Sequence, residues 1–309
     1  YLFVDFFFVL SGFVIATAWE GRLTHAEQTR RFLVRRFGRL WPLHVSILAA
    51  FVGVSLIEGD LNHDERHSVA AIVTNLLLVH GLGMHGDLTW NGPSWSISVE
   101  AMLYVLFALL ALFRWRVWVY AGLIVVGLGV LTAFAPNGMA STFDYGVFRG
   151  FAGFFTGALL TRAPAARLGS GAELLVILMA GTFVWFNQVT ILAPAIFGSV
   201  VYVFAHANGF MSKVLENVVF RKLGEWSYST YMIHAAVVAV IWKLAPSLGI
   251  TEGGGMLHSP SGQLAGLVAI AYVLTVVGLS SVSYALIEQP GRNLFNSWAT
   301  ARDLKSAPQ

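Results

Sequence analysis

The stretch RRFLVRRFGRLWPLH, residues 30–44, decides how this chain is arranged. Five of its first ten residues are arginine, and it lies between two apolar runs, residues 2–19 and 40–57. On a helix, Arg35 and Arg39 are four apart and Arg36 and Arg39 three apart, so their guanidiniums share a face. At a membrane boundary such a face holds that boundary in the cytoplasm, and it offers a clamp for phosphate groups. The stretch alone leaves two readings open: a topology signal only, or a topology signal that also clamps a ligand.

Composition sets the frame around it. The 309 residues are 57% hydrophobic and 11% charged, with a mean hydropathy of +0.70. A soluble domain carries about 25% charged residues. These values predict an all-α, polytopic transmembrane helix bundle. The net charge of +3 does not indicate a nucleic-acid partner. Cysteine is absent, which excludes disulfides, iron–sulfur sites and a thiol nucleophile. No P-loop, HExxH or GxSxG motif occurs. No signal peptide is expected; the chain opens at Tyr1 directly into an apolar run.

Nine runs are expected to cross: residues 2–19, 40–57, 95–113, 117–134, 147–161, 174–186, 191–206, 226–244 and 264–287. A weaker run, 68–84, is broken by Asn75 and His80. Lysines and arginines decide whether it crosses, because cytoplasmic loops collect them. If it does not, sixteen of the nineteen lie inside, Arg114, Arg302 and Lys305 among them, and only Arg66, Arg149 and Lys243 fall outside or at an outer edge. If it does, eight lie inside and eleven outside. The first arrangement makes 68–84 a re-entrant or interfacial helix. It puts the polar tail, 288–309, in the cytoplasm below the inner (plasma) membrane. A chain that starts outside needs one earlier span, so a first helix ahead of Tyr1 is expected. Gly153 and Gly157, four apart on an apolar helix, predict close helix packing.

An ionisable group within a span is costly and usually functional. Asp5 lies near the outer end of the first span. Ser96, Glu100 and Tyr104 form one polar stripe, with Glu100 about 8 Å into its helix. Ser227, Tyr231 and His234 share another face, with His234 about 12 Å deep. His44 and His206 sit near the inner boundary. Glu288 ends the last span on the side of Arg36 and Arg39, where it either orients them or makes a helix-end salt bridge. His63, His67, His85 and His258 fall in outer loops at spacings that match no metal-ligand pattern, so no metal is expected. An inner anion clamp, an outer carboxylate stripe and an imidazole between them suit a reaction run through the membrane.

Five blocks, VDFFFVLSGFVIA (4–16), RRFGRLWPLH (35–44), NGPSWSISVE (91–100), GEWSYSTYMIH (224–234) and SYALIEQPGRN (283–293), resemble the membrane-bound acyltransferase-3 family in sequence and order. Residues 150–157 resemble its glycine-rich helix. The resemblance covers the whole chain, 1–309, as a single integral-membrane acyltransferase domain. It implies transfer of an acyl group, acetyl foremost, from cytoplasmic acyl-CoA to a hydroxyl of a cell-envelope carbohydrate or similar acceptor. Acyl-CoA is then a substrate, and no bound cofactor is implied. Arg36 and Arg39 match the family's RxxR pair, and Arg35 joins them as donor-binding. Glu100 and His234 are the catalytic candidates. Asp5, Ser11, Trp95, Ser96, Tyr228, Tyr231 and Glu288 line the site. The family's best-known histidine lies on a first helix, which here would precede Tyr1. The expected chemistry is acyl transfer with a histidine as general base or transient acyl carrier. A carrier or flippase for a lipid-linked sugar is the rival, with Asp5, Glu100 and His234 along its path. Carriers often show internal repeats, and none is visible. A non-catalytic scaffold is a third reading.

Overall fold

The computed structural model describes residues 2–113, 116–186, 189–244 and 262–300. Arg114, His258, Arg302 and Lys305 lie outside the described residues. The described residues form helices and no sheet; their one β-bridge joins Leu168 and Ala207. In order they are α1 (Phe3–Trp19), α2 (Ala26–Glu58), α3 (Val69–Leu76), α4 (Trp95–Leu110), α5 (Arg116–Ala133), α6 (Gly146–Leu160), α7 (Ser170–Phe186), α8 (Ala193–His206), α9 (Phe210–Leu215), α10 (Val218–Glu225), α11 (Ser227–Leu244), α12 (Gly262–Ser283) and α13 (Gln289–Thr300). A π-turn, Tyr284–Glu288, joins the last two. Among the described residues, four helical segments are long and apolar enough to cross a membrane: Ala26–Glu58, Gly92–Leu110, Arg116–Ala133 and Gly266–Thr300. Phe3–Trp19, Gly146–Leu160, Ser170–Phe186 and Thr190–His206 are apolar but shorter.

The arginine stretch is not a boundary between two elements. It is the first half of α2, which runs unbroken for 33 residues, about 50 Å. A hydrocarbon core is about 30 Å thick. Pro42 lies inside this helix, so its ring leaves the Gly38 carbonyl without its usual donor. Nor is residue 288 the start of a loose tail. Helix α13 lies along the arginine half of α2, at two positions that exclude a Cβ. One at Gly38 would collide with Phe295, and one at Gly291 would come within 2.6 Å of the Pro42 ring.

The centre of the bundle is the contact of α1 with α6. A Cβ at Gly12 would strike the Phe154 carbonyl, one at Gly157 the Val9 carbonyl, and one at Gly153 would stand 2.8 Å from Phe8 Cβ. Small residues let two backbones approach, and in lipid such packing drives association. Phe32, Tyr104, Phe107, Phe154 and Phe155 are buried beside this seam. Outward faces are apolar instead: Trp118 and Val125 on α5 and Leu274 on α12 are exposed.

The run 68–84 holds only the eight residues of α3, about 12 Å of helix, too short to cross. The chain after it folds back between α2 and α4 on buried polar contacts. His44 Nε2 meets the Asn75 carbonyl at 3.1 Å, His80 Nε2 meets Ser94 Oγ at 3.0 Å, and Ser98 Oγ donates to the Leu78 carbonyl at 2.8 Å. The two imidazoles stack, 5.4 Å between centroids.

The helix ends sort into two groups. At one end Glu20 takes Arg116 at 2.7 Å and Arg162 at 2.5 Å, and Arg30 Nη2 reaches the Ala299 carbonyl at 3.3 Å. At the other, Glu58 pairs with Lys243, and Arg66 with Asp87.

Candidate active site

Helices α1, α2, α4 and α11 enclose a cavity of about 180 Å³. Arg36 and Arg39 line it from α2, Ser11 from α1, Ser96, Glu100 and Tyr104 from α4, and Ser227, Tyr228 and Tyr231 from α11. Helical spacing puts each set on one face. The arginine clamp and the carboxylate stripe therefore share one chamber instead of facing each other across the membrane.

Glu100 is the most elaborately held of these groups. Its Oε1 accepts from Ser11 Oγ at 2.7 Å and from Tyr104 hydroxyl at 2.5 Å. Both bonds end on the same oxygen. Arg36 lies opposite, within electrostatic range of Glu100 and Tyr104. Its Nε is buried with no protein partner. A buried donor without a partner is rare and calls for a reason. On α11, the Tyr231 hydroxyl bonds Ser96 Oγ and the Pro93 carbonyl, both at 2.7 Å. Tyr228 hydroxyl donates to the Leu40 carbonyl at 2.5 Å, tying α11 to α2 one turn beyond Arg36.

Five expected site residues do not line the cavity. Arg35, one residue from Arg36, points round the helix to lie over the Trp19 ring at 5.8 Å, and its Nε is also buried without a partner. His234 lies one turn past Tyr231. Its Nδ1 meets the Tyr231 carbonyl at 2.5 Å, so the imidazole is held by its own helix and is not set between clamp and stripe. Glu288 is buried and accepts from Ser229 Oγ at 2.7 Å; it makes no salt bridge to Arg36 or Arg39 among the described residues. Asp5 and Trp95 belong to another assembly. Arg149 Nε meets Asp5 Oδ1 at 3.0 Å and its Nη2 meets Oδ2 at 2.9 Å, while Nη1 meets the Ser141 carbonyl at 2.6 Å. Its guanidinium lies 5.1 Å over Trp95.

Sequence reasoning missed the role of Arg149, which the charge count left outside or at an outer edge. Its position in the glycine-rich helix, four residues before Gly153, was the available signal. Tyr104 stood in the stripe, yet its role as the second donor to Glu100 needed coordinates.

The acyltransferase-3 family, described as an acyltransferase domain, matches residues 1–285. The chain belongs to that family. Among its acyltransferase relatives, MdmB of Streptomyces mycarofaciens is 26% identical over 93% of this chain and 79% of its own length. The peptidoglycan O-acetyltransferase OatA of Listeria monocytogenes is 26% identical over 81% of this chain. That match spans 46% of OatA, so the chain covers about half of this longer acyltransferase. Protein 2 of the picA locus of Rhizobium radiobacter is 34% identical over 35% of the chain and 64% of its own length. No solved structure matches. Membership in an acyltransferase family favours group transfer over the carrier reading.

Proposed function

We propose that this acyltransferase moves an acyl group from acyl-CoA to a hydroxyl of a cell-envelope carbohydrate. The observation that carries the reading is the shared cavity of Arg36, Arg39 and Glu100, with the Arg36 Nε unpartnered. The acceptor's hydroxyl oxygen attacks the thioester carbonyl carbon, the C–S bond breaks, and CoA leaves as the thiol. Arg36 and Arg39 hold the reacting end of the donor and offset the negative charge that develops on its carbonyl oxygen. Glu100, fixed through Oε1 by Ser11 and Tyr104, turns its second oxygen to the acceptor hydroxyl, takes up its proton and returns it to the departing CoA sulfur. Tyr231 and Ser96 shape the acceptor side. The acetyl group and the sugar acceptor follow the O-acetyltransferase relative.

The protein sits in the inner (plasma) membrane as one domain with nine spans and a non-crossing segment around α3. The end bearing Arg30, Arg116 and Arg162 faces the cytoplasm, since basic residues collect there. That end also carries α13, so the C-terminus is cytoplasmic. Acyl-CoA enters from that side and the acceptor from the other.

The test is acyl transfer from labelled acetyl-CoA to polysaccharide in membranes carrying the chain within its full-length protein. Transfer that is lost in Arg39→Ala and Glu100→Gln supports the reading. Unchanged transfer in both variants removes it.

A further inference from the structure

The polar cavity has an apolar neighbour. A chamber of about 570 Å³ lies between the arginine half of α2, α4, the fold-back after α3, and α13. Its walls include Leu33, Phe37, Leu78, Met102, Val105 and Phe295. Three residues, Arg36, Leu40 and Tyr104, line both spaces, so one layer of side chains separates them. Arg36 is the single charged residue of the chamber wall.

A molecule that occupies both spaces therefore has an apolar chain and, at the shared wall, an electron-rich group for the guanidinium. An acyl thioester has that form. An acetyl group ends at the wall and leaves the chamber unused. A membrane phospholipid fits less well. Leu77, Val105 and Trp298, the wall residues most open to the outside, offer no cation to a phosphate.

Building on the donor assignment above, we infer that this chamber receives the acyl chain of the donor, and that the enzyme accepts acyl groups longer than acetyl in addition to acetyl. Arg36 holds the thioester carbonyl at the wall, beside the Tyr104 ring, while the hydrocarbon lies against Met102, Val105 and Leu78. Burial of apolar surface favours each added methylene until the chamber is full.

Photo-cross-linking tests this directly. A hexanoyl-CoA with a terminal diazirine is irradiated with the detergent-solubilised protein, and the adducts are mapped by mass spectrometry. Adducts on Leu78, Met102 or Val105 that excess hexanoyl-CoA suppresses are expected. Adducts confined to Leu10 or Val14 in the polar cavity overturn the chamber while leaving donor binding intact. A diazirine phosphatidylcholine that labels the chamber and resists hexanoyl-CoA makes it a lipid site instead, and overturns the inference. No acyl-CoA adduct anywhere removes the donor reading and this one with it. In turnover, Ala101→Phe narrows the chamber and lowers the ratio of hexanoyl to acetyl transfer about tenfold, the effect of excluding roughly two methylenes. Should that variant fail to fold, Val105→Phe reads the same ratio. An unchanged ratio counts against the assignment.

Discussion

Arg149 and Asp5 form a two-pronged ion pair in which both side chains are fully excluded from solvent. The pair joins α6 to α1 beside the glycine seam, and Trp95 stacks on the guanidinium. Charges so placed persist only when every polar atom is matched.

Removing one partner leaves the other charge stranded. Arg149→Ala and Asp5→Ala are each expected to destabilise the protein by about 3–5 kcal/mol. The double variant Asp5→Leu with Arg149→Met is expected to lose less than the two single losses combined. Thermal unfolding of solubilised protein measures all three. Additive losses would show that the pair is not a unit.

Neighbouring arginines are expected to behave differently. Arg39→Ala removes a charged group from the cavity and should lower kcat/KM for the acyl donor about 100-fold, near 3 kcal/mol. Arg35→Ala removes a cation–π contact with Trp19 and should cost less than about tenfold. Equal losses in initial-rate assays would mean that Arg35 also meets the donor.

Glu100→Gln keeps the shape and an acceptor oxygen for Tyr104 but loses the charge. A drop of about 100-fold or more in kcat, with a small change in donor KM, is expected for a group that takes up a proton. A rate within about threefold of the parent excludes that role.

The glycines divide by location. Gly157→Ala puts a methyl into the Val9 carbonyl and should cost about 1–3 kcal/mol. Gly122→Ala on α5 meets nothing within 4 Å and should be neutral or stabilise by up to about 1 kcal/mol. Melting temperatures of the two variants should move in opposite directions or by clearly unequal amounts.

In the loop before and after α3, acid should act through two carboxylates. Side-chain hydrogen bonds from Arg66 hold Asp87 below its ordinary value of 3.8, and the His67 backbone N–H does the same for Asp64. A lowered folded-state value stabilises above the ordinary value and is lost as pH falls through the lowered one. Proteolysis within residues 59–91 should thus quicken below about pH 4. Asp87→Asn should remove much of that response. A loop equally sensitive in the variant would clear Asp87 of it.

Much of this architecture was legible in the sequence because a bilayer imposes few choices. Hydrophobic length placed α1, α4, α5, α6 and α8 to within a few residues, and the glycines four apart announced a close helix contact, which is the α1–α6 seam. The arginine half of α2 and the amphipathic α9, α10 and α13 carry no long apolar run and were not placed. Periodicity put Arg36 with Arg39 and Glu100 with Tyr104. It failed where a side chain had a nearer partner. His234 is in register with Tyr231, but a ring nitrogen can bond its own helix, and here it does. Arg35 is in register with Arg39, yet Trp19 offers its face first. Nothing in the sequence indicated that Arg149, an arginine among glycines, faces a carboxylate 144 positions away. The continuity of α2 from its arginine half into the apolar run was equally hidden, because the cluster of charge reads locally as a membrane boundary.

Helix α13 rests on α2 through Gly38 and Gly291, on the stretch that bears Arg36 and Arg39. Helix α13 is thus a lever on the reaction chamber. A bulky fusion joined close behind Thr300 should disturb donor handling while the acceptor side stays intact, whereas the same cargo on a long linker should go unnoticed.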